Sequence, residues 1–202
     1  MDNSDVKEKE FRNILGINIK ENDTEINDLI IEGYINKYNT RSEYMGFFEE
    51  IEKGAFDKSL NENEFIPMLY NHDGDKILGS TRSGTLNLSS DDIGLKFELK
   101  INPKVSYAKD VYELVKSGDI RGCSFGFFVN KDEWKTLDNG INLRIIKDLT
   151  LNEVTITPYP AYKTSEASCR SFNNFKAIEQ KKKEDMILKE KIEMELELIQ
   201  LQ

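Results

Sequence analysis

One imidazole, one hydroxyl set between two glycines and one acid in an apolar stretch are the residues of this chain that could do covalent chemistry together. The imidazole is His72, the sole histidine, in Met68-Leu69-Tyr70-Asn71-His72-Asp73-Gly74, where a strand-like run gives way to a turn. The hydroxyl is Ser124, in Gly122-Cys123-Ser124-Phe125-Gly126-Phe127, and the acid is Glu153, in Leu149-Thr150-Leu151-Asn152-Glu153-Val154. They are the parts of a nucleophilic relay. A hydroxyl is a poor nucleophile near neutral pH until a base takes its proton, and an acid fixes the tautomer of that base and stabilises the imidazolium. Backbone N–H groups around Arg121, Gly122 and Cys123 are then candidates to hold an oxyanion.

Each residue also has an ordinary reading. A lone histidine is more often structural or exposed than catalytic, and strict alternation sets His72 beside Ile66, Met68 and Tyr70 at a core edge. Ser124 falls on the face opposite Cys123, Phe125 and Phe127, with Gly126 leaving space on its own side; the plain alternative is a bulged strand that contains a serine. This Gly-x-Ser-x-Gly is not a hydrolase elbow, because the sequence continues as β instead of opening a helix. Alternation puts Glu153 with Leu149 and Leu151, where a carboxylate needs a partner, unless a bulge turns it to solvent. Asp148 and Asp73 are the other acids available for the third role. A Cys–His pair using Cys123 is a further alternative, but Cys123 lies on the other face and reads as a small buried thiol.

Positioning these groups falls to short β-type runs separated by Gly, Asn and Asp turns. Strands are expected over Leu29 to Tyr38, Phe65 to His72, Ile93 to Ile101 and Arg121 to Asn130, followed by a strand pair around Lys135 to Ile156 that turns at Asp138-Asn139-Gly140. A helix over Ser106 to Ser117 stops at Gly118, and a shorter one follows Gly54. The spacing divides the chain into a polar arm over residues 1–25, loosely ordered with room for a strand at its end, a folded domain over 26–172, and a helical tail over 173–202, the helix itself expected from 176. Apolar residues lie on more than one stripe of that tail, which either packs on the domain or pairs with another copy or another protein.

Composition narrows the partners. A length of 202 residues allows one sizeable core, and a net charge of −9 disfavours nucleic acid in favour of protein partners. One histidine excludes multi-His metal sites and any relay with two imidazoles, and no CxxC or zinc pattern is present, so no metal and no cofactor is expected. No run approaches the roughly 20 apolar residues that span a bilayer; no membrane is expected, the reading is intracellular, and Cys123 and Cys169 are read as two thiols.

Six segments in this order resemble the tailed-bacteriophage prohead proteases, capsid maturation proteases distantly similar to the herpesvirus assemblins. They are Glu32-Gly33-Tyr34, Glu52-Lys53-Gly54-Ala55-Phe56, Asn71-His72-Asp73 with Leu78-Gly79, Asp92-Ile93-Gly94-Leu95, Lys116 to Phe127, and Leu151 to Ile156 with Pro160-Ala161-Tyr162. The resemblance covers most of residues 30–170. It implies a β-rich α+β fold, a mostly antiparallel β-barrel with surrounding helices and a C-terminal helix. It implies a serine endopeptidase acting inside the assembling prohead, in the host cytoplasm or encoded by a prophage in a bacterial one. Its substrates would be scaffold or the scaffolding segment of the major capsid protein, and itself. His72 matches the family's catalytic histidine and Ser124 its nucleophile. The second histidine of the herpesvirus relatives has no counterpart here, so the third role passes to an acid or a water, Glu153 first, with Asp148 and Asp73 behind it. The tail then serves for tethering or for a homo-oligomer. The competing class is a non-enzymatic capsid assembly or scaffold protein that keeps a protease-like barrel.

Overall fold

The computed structural model describes residues 7–20, 29–158 and 166–200, without the side chains of 166–170 and 197–200. Pro160-Ala161-Tyr162 and the side chain of Cys169 therefore lie outside the described residues. The chain divides into two compact units, one to Ser165 and one from Glu166.

Among the described residues, ten strands and two helices build the first unit. They are β1 (Glu10–Leu15), β2 (Ile17–Ile19), β3 (Leu29–Lys37), β4 (Phe48–Ile51), α1 (Asp57–Glu62), β5 (Pro67–Tyr70), β6 (Asp73–Ser80), β7 (Leu86–Ser90), β8 (Gly94–Ile101), α2 (Ser106–Ser117), β9 (Gly122–Thr136) and β10 (Asn142–Thr157). The six-stranded sheet runs β1-β9-β10-β5-β6, with β4 also on β10; the four-stranded sheet runs β2-β3-β8-β7. β4 and β5 lie parallel to β10 and the remaining ladders are antiparallel. In β8 the expected alternation holds, with Leu95, Phe97, Leu99 and Ile101 buried. They join Phe125, Phe127, Val154 and Ile156 of the larger sheet and Val111 and Val115 of α2 in one core.

The described strands make a mixed, sheet-rich α+β fold, and no closed barrel is found among them. At Gly16 the φ of +132° is open to glycine alone among common residues. There the chain leaves β1 on one sheet and enters β2 on the other, so the sheets are joined by covalent chain rather than by a continuous ladder. The aromatic strand expected to stop at Asn130 runs on to Thr136 and becomes the first arm of the β9–β10 hairpin, which turns at Leu137–Ile141 with Gly140 at φ +77°. α2 ends where expected, on a left-handed Gly118.

β1, drawn from the segment read as an arm, is fixed by alternate residues. Glu10 and Arg12 meet Glu49 of β4 and Arg144 of β10 in a buried cluster of two acids and two guanidinium groups, each residue at most 6% exposed. Arg12 Nη2 donates to Glu10 Oε2 at 2.7 Å and Glu49 Oε2 at 2.8 Å, and Arg144 Nη1 donates to Glu10 Oε1 at 3.0 Å and Glu49 Oε2 at 3.2 Å. Arg144 also donates from Nε to Asp132 Oδ2 at 2.6 Å.

The second unit is one helix, α3 (Glu166–Gln200). It starts ten residues before the expected position, since no Gly or Pro interrupts 166–175. Ile187, Leu188, Ile192 and Met194 are exposed on it. Among the described residues no helix is long and apolar enough to cross a membrane.

Candidate active site

The three sequence-selected residues come from a turn and two adjacent strands of the larger sheet. Ser124 in β9 is flanked by Asn13 of β1 and Thr155 of β10. Glu153 lies opposite Gly126, two pairs along from Ser124. A register shift between Leu151 and Glu153 inserts one extra residue, a β-bulge. Leu151 pairs with Phe127 on the core side, and the bulge brings Glu153 round to the face of Ser124 and Gly126. Neither sequence reading of Glu153 anticipated this: the bulge takes it off the face of Leu151, yet it stays 3% exposed.

His72 is not on a strand face as alternation had it. β5 ends at Tyr70, which pairs with Asp73, so Asn71 and His72 form a two-residue hairpin loop. Both have positive φ, 54° and 61°, the mark of a type I′ turn. For residues other than glycine this conformation is disfavoured, and β10 holds it in place. Asn71 N–H donates to the Ile156 carbonyl at 2.9 Å, and Thr157 Oγ1 donates to Asn71 Oδ1 at 3.0 Å. Thr155 Oγ1 accepts the His72 N–H at 3.0 Å and donates to the Leu69 carbonyl at 3.0 Å.

This turn sets the imidazole against the acid. His72 Nδ1 lies 2.8 Å from Glu153 Oε1. Burial opposes ionisation of Glu153, but the hydrogen bond from His72 and the nearby ammonium of Lys9 outweigh it, holding the carboxyl below its ordinary range. An ionised carboxylate only accepts, so Nδ1 carries the proton of that bond and Nε2 of the neutral ring keeps its lone pair. The Phe11 ring closes on the imidazole edge-on, with centroids 4.7 Å apart.

Ser124 is fully buried, and its Oγ has no hydrogen-bond partner. An orphan buried hydroxyl costs about 1–3 kcal/mol, and a group of this kind in a folded protein calls for an explanation beyond packing. Thr155 links it to the turn, because cross-strand neighbours on one face stand only about 5 Å apart at Cβ and Thr155 Oγ1 touches the His72 backbone.

A family model described as caudovirus prohead serine protease matches residues 16–178. The chain belongs to this family. The prohead protease of Enterobacteria phage HK97 is 30% identical over 135 residues, 65% of this chain and 56% of that protein. The prohead protease of Escherichia phage T5 is 31% identical over 98 residues, 48% of this chain and 42% of that protein. The chain spans about half the length of the curated relatives it matches. The solved capsid assembly protease of bacteriophage T4 is similar at 13% identity with a TM-score of 0.42, over 73% of this chain and 98% of that one, a likeness too remote to inform the site.

Other residues singled out in this prohead protease family member fall elsewhere. Cys123 points to the core opposite Ser124; its Sγ donates to the Tyr34 carbonyl at 3.2 Å, and burial pushes the thiol up. Asp148 is bonded by Asn130 Nδ2 at 3.2 Å, and Asp73 lies 3.6 Å from Lys76 Nζ; neither meets the imidazole. Gly122 and Cys123 are paired on both sides, which directs their N–H groups at neighbouring strands. Arg121 stands outside both ladders, its carbonyl accepting from Gly16 N–H at 3.1 Å. Among the described residues no group of three His, Cys, Asp or Glu could hold a metal ion.

Sequence reasoning missed Lys9, Phe11 and Thr155. The signal for the first two was hidden because Lys9-Glu10-Phe11-Arg12 carries charge on both faces of the strand, so no apolar alternation marks it. For Thr155 the alternation Glu153, Thr155, Thr157 was available.

Proposed function

We propose that this chain is a serine endopeptidase of capsid maturation, with Ser124 as nucleophile, His72 as general base and Glu153 as the acid behind it. One observation carries the reading: a 2.8 Å contact between His72 Nδ1 and a buried carboxylate beside an unpartnered, buried serine hydroxyl. In the first step Ser124 Oγ bonds to the scissile carbonyl carbon while its proton passes to His72 Nε2. The carbonyl oxygen becomes the oxyanion. Glu153 accepts from Nδ1 and offsets the imidazolium charge. Collapse breaks the C–N bond as Nε2 returns the proton to the leaving amine, and water then hydrolyses the acyl-serine by the same path. Ser124 Oγ is not bonded to His72 in this state, and catalytic contacts of this type tighten on substrate binding.

Membership of the prohead protease family supports scaffold, or the scaffolding segment of the major capsid protein, and the chain itself as substrates. It also supports a site of action inside the assembling prohead, in the host cytoplasm. α3 is read as the segment that tethers the protease to those partners or pairs it with another copy. A chain truncated after Phe172 should then enter proheads poorly; normal entry removes the tethering role.

The test of the activity is direct. A fluorophosphonate probe reacts by forming an Oγ–P bond, with fluoride leaving and the hydroxyl proton going to His72. Intact-mass spectrometry should find the label on Ser124, and time-dependent fragments of the purified chain should vanish with Ser124→Ala or His72→Ala. Undiminished cleavage by Ser124→Ala would overturn the proposal that Ser124 is the nucleophile, and a wild-type chain that neither takes the label nor yields fragments would favour the non-enzymatic assembly protein.

A further inference from the structure

The hydrogen-bonded pair of His72 and Glu153 has a third member. Lys9 Nζ lies 3.1 Å from Glu153 Oε1, the same oxygen that His72 Nδ1 contacts. The ammonium reaches that oxygen across Gly126. A Cβ at Gly126 would stand 2.3 Å from Lys9 Cε and 3.0 Å from both Lys9 Nζ and Glu153 Oε1, so the absent side chain is the gap through which lysine enters. The backbone carrying it is held from the opposite side of the strand: Glu10 and Arg12 are locked into the buried ionic cluster, and Lys9 and Phe11 face the imidazole and its acid.

We propose that Lys9 is a positioning residue of the relay, which holds Glu153 Oε1 between two cationic or N–H donors and tunes how readily His72 is protonated. This rests on the reading of Ser124, His72 and Glu153 as a relay. The charged groups on this face are few. β1 supplies Lys9, the turn supplies His72, β10 supplies Glu153, and Asp73 at the start of β6 is paired with Lys76. β9 contributes Ser124 and Gly126, which carry no charge. A full negative charge on Glu153 favours the imidazolium, the form that cannot act as base. Lys9 offsets part of that charge. Its side chain is 27% exposed, which weakens the interaction by solvent screening.

Because His72 is the sole histidine, the imidazole gives one histidine signal by NMR. Titration of the full chain carrying Ser124→Ala, with and without Lys9→Met, should show the midpoint move up by about 0.5–1 pH unit, a roughly 3–10-fold change in proton affinity. Lys9→Arg should restore it. In chains that keep Ser124, the acid limb of the fluorophosphonate labelling rate should move up with it. Lys9→Gln is the second variant should Met alter folding, which Trp134 fluorescence reports. An unmoved midpoint in Lys9→Met, with wild-type Ser124 still labelled, overturns the role of Lys9 and leaves the relay standing. Failure of wild-type Ser124 to label overturns the relay and, with it, the catalytic meaning of Lys9.

Discussion

Replacing Arg12 by Met should destabilise the first unit severely and loosen the site with it. Arg12 makes charge-assisted bonds to Glu10 and Glu49, and all three side chains are at most 7% exposed. Without it, two buried carboxylates share Arg144 alone. Breaking a buried ionic group by removing one partner costs about 3–5 kcal/mol, out of a total stability of about 5–15 kcal/mol. With a urea slope near 2 kcal/mol/M, a loss of about 4 kcal/mol lowers the unfolding midpoint by about 2 M. The reporter is built in. Trp134 is the sole tryptophan, its ring is 4.8 Å from Phe47, and Arg144 lies over it at 5.8 Å. Urea unfolding followed by its fluorescence reads the cluster directly. The double variant Arg12→Met with Glu49→Leu removes one charge of each sign and should regain much of the loss, because apolar replacement of a buried pair is often neutral. A midpoint shift below about 0.5 M at unchanged slope would refute the claim that this cluster anchors β1.

Gly126→Ala should lower the cleavage rate at least about 10-fold while changing stability by only about 1 kcal/mol, because the new Cβ displaces the flexible end of Lys9 and crowds Glu153 Oε1; cleavage assays beside thermal melts check this. Thr155→Val leaves the His72 N–H and the Leu69 carbonyl without their partner, so unfolding should show a loss of about 1–3 kcal/mol together with reduced Ser124 labelling. Glu153 is depressed in the fold, so its stabilisation is complete above its ordinary value near 4.5 and is lost as pH falls through the lower folded value. Urea midpoints of the wild type should therefore drop more steeply than those of Glu153→Gln as the solution is acidified below that value; parallel curves would contradict the pairing.

Periodicity located most elements because their burial is one-sided. β8 and α2 show their buried faces as alternation and as helical spacing, and Gly118 marks where α2 ends. The segments that escaped are those whose partners lie far along the chain. β1 looks like a charged arm because its buried face is ionic, and charges on both faces erase the pattern that a core strand shows. The bulge before Glu153 was equally hidden: one extra residue reverses the face of all that follows, and nothing local in Leu151-Asn152-Glu153 reports it. His72 was placed on a strand because Met68-Leu69-Tyr70 reads as one, whereas a turn with two positive φ values at Asn-His instead of Asn-Gly is set by the hydrogen bonds of Thr155, Ile156 and Thr157. The residue types of the candidate site were chosen from chemistry alone; their distances depended on long-range pairing.

That pairing also sets a clock. His72 and Glu153 are 81 positions apart, and β1 finds its ladder partner only when β9 exists. On a ribosome adding about 5–20 residues per second, the imidazole waits roughly 4–16 s for its acid. Until Thr157 has emerged the turn has no strand to hold it, and the lysine at the front of the chain has no carboxylate to meet. Nascent chains and fragments ending before that residue therefore lack the paired imidazole and carboxylate.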